Sequence, residues 1–145
     1  MEEFLTLATP FIKNHTLLVV AWVAIFIAFI YVNFKAFTSK VKLVSNAEAV
    51  ALMNNQNAVV IDLRTIEEFK RGHIVNSQEF VPSDIKNHNL GKLEQHKDVP
   101  VILVCASGVT ARASGEILAK QGFKHVYALQ EGIAGWNAEN LPLVK

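Results

Sequence analysis

The sequence predicts an α/β domain with a central parallel sheet and helices on both faces, preceded by one N-terminal transmembrane helix. Three observations carry this. The run LLVVAWVAIFIAFIYV, Leu17 to Val32, is 16 residues without a charge, proline or glycine. After it, short apolar runs alternate with helix-start signals, the order expected of β-α units. Two of those runs, AVVIDL and VILVC, are continuous and rich in β-branched residues, as strands covered on both faces require.

The elements follow in order. Residues 1–15 form an N-terminal segment expected on the outer side of the membrane. With its polar edges the apolar run extends over residues 16–34, close to the ~20 residues that cross a ~30 Å bilayer core. It is apolar all round, which speaks against a core helix with one buried stripe. A cleaved signal peptide is opposed by Glu2 and Glu3 and by the lack of a base before Lys13. The run therefore reads as a retained signal anchor. Lys13 precedes it, while Lys35, Lys40 and Lys42 follow it. That asymmetry predicts a single pass through the inner membrane, N-terminus out, with the rest in the cytoplasm. Tyr31 and Phe34 are placed at the cytoplasmic interface. Residues 35–41 read as a polar linker and 42–145 as the folded domain.

Within that domain, Lys42–Val44 is a short strand. Ser45 and Glu48 form a capping box that opens a helix to about Met53. Ala58–Leu63 is the second strand, and Thr65 with Glu68 caps a short helix ending near Gly72. Ser77–Val81 is a third strand, and Pro82 starts a short helical piece. Residues 87–98 are polar and partly helical. Val101–Cys105 is the most central strand by composition. Ala111–Gln121 is a helix closed by Gly122, His125–Leu129 the last strand and Gly132–Glu139 the last helix.

Overall, 51% of the chain is hydrophobic and its mean hydropathy is +0.26, the excess lying in the N-terminal run. From Val41 onward the chain has 11 Lys+Arg and 11 Asp+Glu, so this part is formally neutral. No basic block suggests nucleic acid. The single cysteine excludes an internal disulfide and fits a reducing compartment. The histidines, at 15, 73, 88, 96 and 125, lack metal-ligand spacing, and no metal or cofactor is expected.

Chemistry concentrates at Cys105. In open α/β sheets, sites gather beyond the C-terminal ends of strands. Ala106, Ser107, Gly108, Val109 and Thr110 then lead to a helix N-terminus. Small residues let the backbone curl, Gly108 supplies a positive φ, and the helix dipole adds positive potential. A sulfur held there is stabilised as the nucleophilic thiolate. The competing reading is a buried, inert thiol.

The loop and its flanks resemble the active-site loop of rhodanese-homology domains, the sulfurtransferase family. The resemblance extends through Asp62-Leu63-Arg64, Glu68-Phe69, Gly72-His73-Ile74, Gly122-Phe123, Gly132 to Trp136 and Leu141-Pro142. Asn76-Ser77 replaces the family's Gly-Ala; asparagine tolerates the left-handed turn expected there. The resemblance implies a rhodanese-like fold and a persulfide on Cys105, cradled by the backbone N–H groups of Ala106 to Thr110. It also implies a sulfane-sulfur donor and a thiol or protein acceptor. The anchor adds the membrane, and with it a membrane protein, as possible partners. Arg112 is a candidate for substrate charge. Asp62, Arg64, Glu68 and His73 read as a network supporting the site. The alternative is a tethered, non-catalytic interaction module or a redox sensor. A cysteine-dependent phosphatase is disfavoured: the arginine it needs after five intervening residues is replaced by Ala111, and Arg112 is one residue late.

Overall fold

The computed structural model describes residues 10, 13–37 and 39–145. Most of the expected N-terminal segment, 1–15, lies outside the described residues, as does the Phe34 side chain. The chain divides into two compact units, Met1–Ser39 and Lys40–Lys145.

The first unit holds α1, Thr16–Phe37, with 22 residues and a length of about 33 Å. Its stretch Thr16–Asn33 has a mean hydropathy of 2.4 and no buried residue, so α1 is long and apolar enough to cross a membrane. Trp22 and Phe26, one turn apart, stack with ring centroids at 5.4 Å. The Asn33 amide donates to the Phe29 carbonyl at 2.8 Å, which satisfies that polar group within its own helix. The helix runs on to Phe37, into the segment expected as linker.

The second unit contains β1 (Val41–Val44), α2 (Asn46–Gln56), β2 (Val59–Asp62), α3 (Ile66–Arg71), β3 (Gln78–Glu79) and α4 (Pro82–Lys86). A 3-10 turn (Gly91–His96), β4 (Val101–Val104), α5 (Val109–Lys120), β5 (Val126–Leu129) and α6 (Gly132–Ala138) complete it. The sheet order is β1-β5-β4-β2-β3 and every pairing is parallel. β4 is central, and all four of its residues are buried. Strand periodicity then sends alternate side chains to opposite faces. Leu103, Ile61 and Ala128 pack with Ile85, Ala111 and Leu118 on one face. Ile102, Val104 and Val60 pack with Ala49, Leu52, Ile133 and Trp136 on the other. This is the parallel sheet with helices on both faces that the apolar runs predict.

Both capping boxes form. Glu48 Oε2 accepts from the Ser45 amide at 2.8 Å and from its hydroxyl at 2.9 Å. Glu68 Oε2 does the same for Thr65, at 3.1 and 2.9 Å. These bonds, the backbone N–H first in each case, hold both carboxyls below the usual glutamate range. Asn57 and Asn76 turn the chain at φ 51° and 60°. Helix α5 starts at Val109, two residues before the expected start, because left-handed Gly108 completes the loop. β3 is an edge strand of two residues rather than five.

Thr65→Ala is expected to lower stability by about 1 kcal/mol at pH 7, read by urea denaturation. The depressed Glu68 value gives the sign with pH. Its contribution is present above the unfolded-state value and is lost as pH falls through the folded one. The difference between wild type and Glu68→Gln should therefore shrink on acidification. Equal stability of wild type and Thr65→Ala at pH 7 would contradict the role of the cap.

Candidate functional site

β4 delivers Cys105 to the C-terminal edge of the sheet, where the residue is 5% exposed. Its sulfur accepts two backbone hydrogen bonds, from Gly108 N–H at 3.0 Å and Ala111 N–H at 3.4 Å. Gly108 is the N-cap of α5 and sits at φ 92°. An N-cap side chain normally accepts from an amide in the first turn of its helix. Glycine has no such side chain, and the Cys105 sulfur takes that place. Of the expected cradle, Ala106 to Thr110, Gly108 contacts the sulfur. Ala111 lies one residue beyond the expected set. The signal for it was the missing capping side chain at Gly108.

The same loop is fixed from behind. Ile133 N–H donates to the Cys105 carbonyl at 2.9 Å, and Ala134 N–H to the Ala106 carbonyl at 3.1 Å. These are among the first amides of α6, which lack partners within their own helix. With its carbonyls drawn toward α6, the loop turns N–H groups toward the sulfur. The approach is close enough to demand glycine. A Cβ on Gly132, at φ 56°, would overlap the Cys105 carbonyl oxygen and lie 2.8 Å from the Ala106 carbonyl carbon. One on Gly108 would overlap the Gln130 carbonyl oxygen. The sequence placed Gly132 only within a Gly-to-Trp pattern; its contact with residue 105 crosses too much chain for local reasoning to reach.

Asp62 ends β2 beside Val104, and Leu63 N–H donates to the Val104 carbonyl at 2.8 Å. The Asp62 carboxylate is 1% exposed and takes a bidentate clamp from Arg64: Nη2 to Oδ2 at 2.7 Å and Nε to Oδ1 at 3.0 Å. Arg64 Nη2 also donates to the Gly72 carbonyl at 2.8 Å, tying the end of α3 to the end of β2. Removing either ion would leave the other buried, a cost of several kcal/mol. Glu68 is occupied at the N-terminus of α3. His73 stacks on Phe69 at 3.8 Å, with Nδ1 donating to the Phe69 carbonyl at 2.9 Å, and its backbone bridges to Val144. Arg112 is half-buried in the first turn of α5, its amide bonded to the Gly108 carbonyl at 3.2 Å. Thus Asp62 and Arg64 form one unit, while Glu68 and His73 act locally around α3. Among the described residues, only the Gly108 and Ala111 amides hydrogen-bond to the sulfur. A cleft of about 250 Å³ between α3 and α6, lined by Arg64, Glu68, Arg71 and Asn137, does not include Cys105.

Gly132→Ala is expected to speed hydrogen exchange at Gly108 and Ala111 by about tenfold or more, as the displaced carbonyls release the loop. Gly122→Ala is the control. Gly122 has φ 97° but no atom within 4 Å of an added Cβ. It should carry the conformational penalty of ~1–2 kcal/mol without mobilising the loop. Equal exchange at those two amides in both variants would refute the clamp.

Comparison with known proteins agrees with this architecture. The Escherichia coli (strain K12) protein YibN is 47% identical over 135 residues, covering 93% of this chain and 94% of its own. The thiosulfate sulfurtransferase GlpE of Glaesserella parasuis is 34% identical over 98 residues, covering 66% of this chain and 86% of its own. Among solved structures, the polysulfide-sulfur transferase homodimer of Wolinella succinogenes superposes with a TM-score of 0.62 at 26% identity, covering 82% of this chain and 89% of its own. The profile of the family described as Rhodanese-like domain matches residues 45–139. On the strength of that match, together with the parallel sheet and the strand-loop-helix around Cys105, the chain belongs to the rhodanese-like domain family.

Proposed function

We propose that this chain is a membrane-anchored sulfurtransferase or persulfide carrier, with Cys105 as its nucleophile. The observation that carries the reading is the Cys105 sulfur held by the Gly108 and Ala111 amides at the N-terminus of α5. Amides and helix dipole together favour an anion at that point without a side-chain base. The names of two similar proteins, a thiosulfate sulfurtransferase and a polysulfide-sulfur transferase, support sulfur transfer as the class of reaction.

In this reading the Cys105 thiolate attacks a sulfane sulfur. A Cys105–sulfur bond forms as the donor's bond to that sulfur breaks, and the bond pair departs with the donor's remainder. The product persulfide is also an anion. The amides of Val109 and Thr110, first in α5 and without partners inside the helix, stand ready for its outer sulfur. A thiol, free or on a protein, then attacks that sulfur and regenerates Cys105. Asp62 and Arg64 hold the neighbouring strand end in register with the loop. No proton need move through Glu68 or His73, whose Oε2 and Nδ1 are engaged around α3.

The anchor is α1. Lys35, Lys40 and Lys42 follow it while Lys13 precedes it. That balance supports a single pass in the inner membrane with the N-terminus out and the rhodanese-like domain in the cytoplasm. An acceptor within the same membrane suits this arrangement.

The test is intact-protein mass spectrometry of the full chain in detergent after incubation with a sulfane donor. One added sulfur is expected on wild type and none on Cys105→Ser, which should also lose at least ~10³-fold in transfer to a thiol acceptor. Absence of the adduct with every donor would favour a non-catalytic interaction module, a reading consistent with the burial of Cys105.

A further inference from the structure

We infer that the loop selects a sulfane sulfur carried on a low-charge thiol, a persulfide, and that the uncharged residue at position 106 disfavours thiosulfate. The inference rests on the reading of Cys105 as a sulfur-transfer nucleophile and names the donor class of that site. Thiosulfate brings two negative charges to a thiolate and leaves as sulfite, so both ends of the step call for cations. Residues 105–110, Cys-Ala-Ser-Gly-Val-Thr, contain no cationic side chain. The positive potential there comes from backbone amides, equivalent to roughly half a charge at a helix N-terminus. Two of those amides are already occupied by the Cys105 sulfur.

Around the loop, one cation is committed elsewhere and a carboxylate is added. The Arg64 side chain is 9% exposed and is bound to the Asp62 carboxylate and the Gly72 carbonyl. Arg112 is half-buried and comes one position after the last amide that touches the sulfur. Glu131 adds an exposed carboxylate on the connection pressed against the loop, between Gln130 and Gly132. The largest side chain among residues 106–110 is Val109, 75% exposed, an apolar contact for the carbon part of a thiol. Ala106 is exposed while its carbonyl is pinned by Ala134, so position 106 sits on fixed backbone beside the nucleophile.

With a persulfide R–S–SH the step balances within the two reactants. The Cys105 thiolate forms a bond to the terminal sulfur as the S–S bond of the donor breaks, and that bond's electron pair leaves on the R–S group as a thiolate. That thiolate takes up the proton carried in by the persulfide. No external oxidant or reductant is needed.

The experiment measures second-order rates of Cys105 loading in the full chain with two donors, thiosulfate and the persulfide of N-acetylcysteine methyl ester. In wild type the persulfide is expected to load faster. Ala106→Lys should shift the thiosulfate-to-persulfide ratio about tenfold toward thiosulfate, and the shift should fade as ionic strength rises. Ser107→Lys, on the next exposed position, should shift it in the same direction. Ala106→Met, similar in length but uncharged, should not. Wild type loading from thiosulfate at least as fast as from the persulfide would overturn the inference. So would equal shifts in the Lys and Met variants. Loading from neither donor would instead remove the sulfur-transfer reading itself.

Discussion

Gly108 leaves the N-terminus of α5 without a capping side chain, and the Cys105 sulfur accepts from Gly108 and Ala111 in its place. Much of the architecture at this edge of the sheet depends on that substitution. The sulfur must lie within reach of first-turn amides, so the strand, the loop and the helix have to meet at one point. β4 supplies the first of these by being buried on both faces and central in the sheet. The loop is held in shape by α6, whose Ile133 and Ala134 amides bind the carbonyls of Cys105 and Ala106. Two sets of helix-start amides therefore act on one short loop. One set faces the sulfur and the other draws the carbonyls away.

That arrangement explains why small residues dominate the site. A side chain at Gly108 or Gly132 would separate backbones that must touch. It also accounts for the modest role of charge. Among the described residues the one strongly buried ion pair, Asp62 with Arg64, is turned inward to join β2 to Gly72 and leaves the sulfur to the amides. Backbone dipoles fixed in this way favour negative charge on the sulfur without any rearrangement of the site.

Much of this was legible in the sequence. The capping boxes at Ser45 and Thr65 are local codes, satisfied within four residues, and both helices begin where those codes place them. AVVIDL and VILVC announce buried parallel strands through their lack of alternation. Cys105 was identifiable from its position between a buried strand and a glycine-bearing turn. Other features were not. The clamp between residues 105–106 and 133–134 is a long-range contact with no local signature. Ala111 was legible only through the missing cap at Gly108, because the helix start at Val109 is set by the tertiary fit of Gly108 against Gln130. The short β3 and the continuation of α1 to Phe37 reflect the usual weakness of local patterns at element ends.

The most direct measurement is the amide NMR spectrum of the chain before and after Cys105 receives a sulfur. If the sulfur is bonded by backbone, the Gly108 and Ala111 amide protons should shift as it changes from thiol to persulfide, and those of Val109 and Thr110 should shift as the outer sulfur engages them. The same donor added to Cys105→Ser should leave all four unmoved. A persulfide on Cys105 with no change at these amides would contradict the cradle.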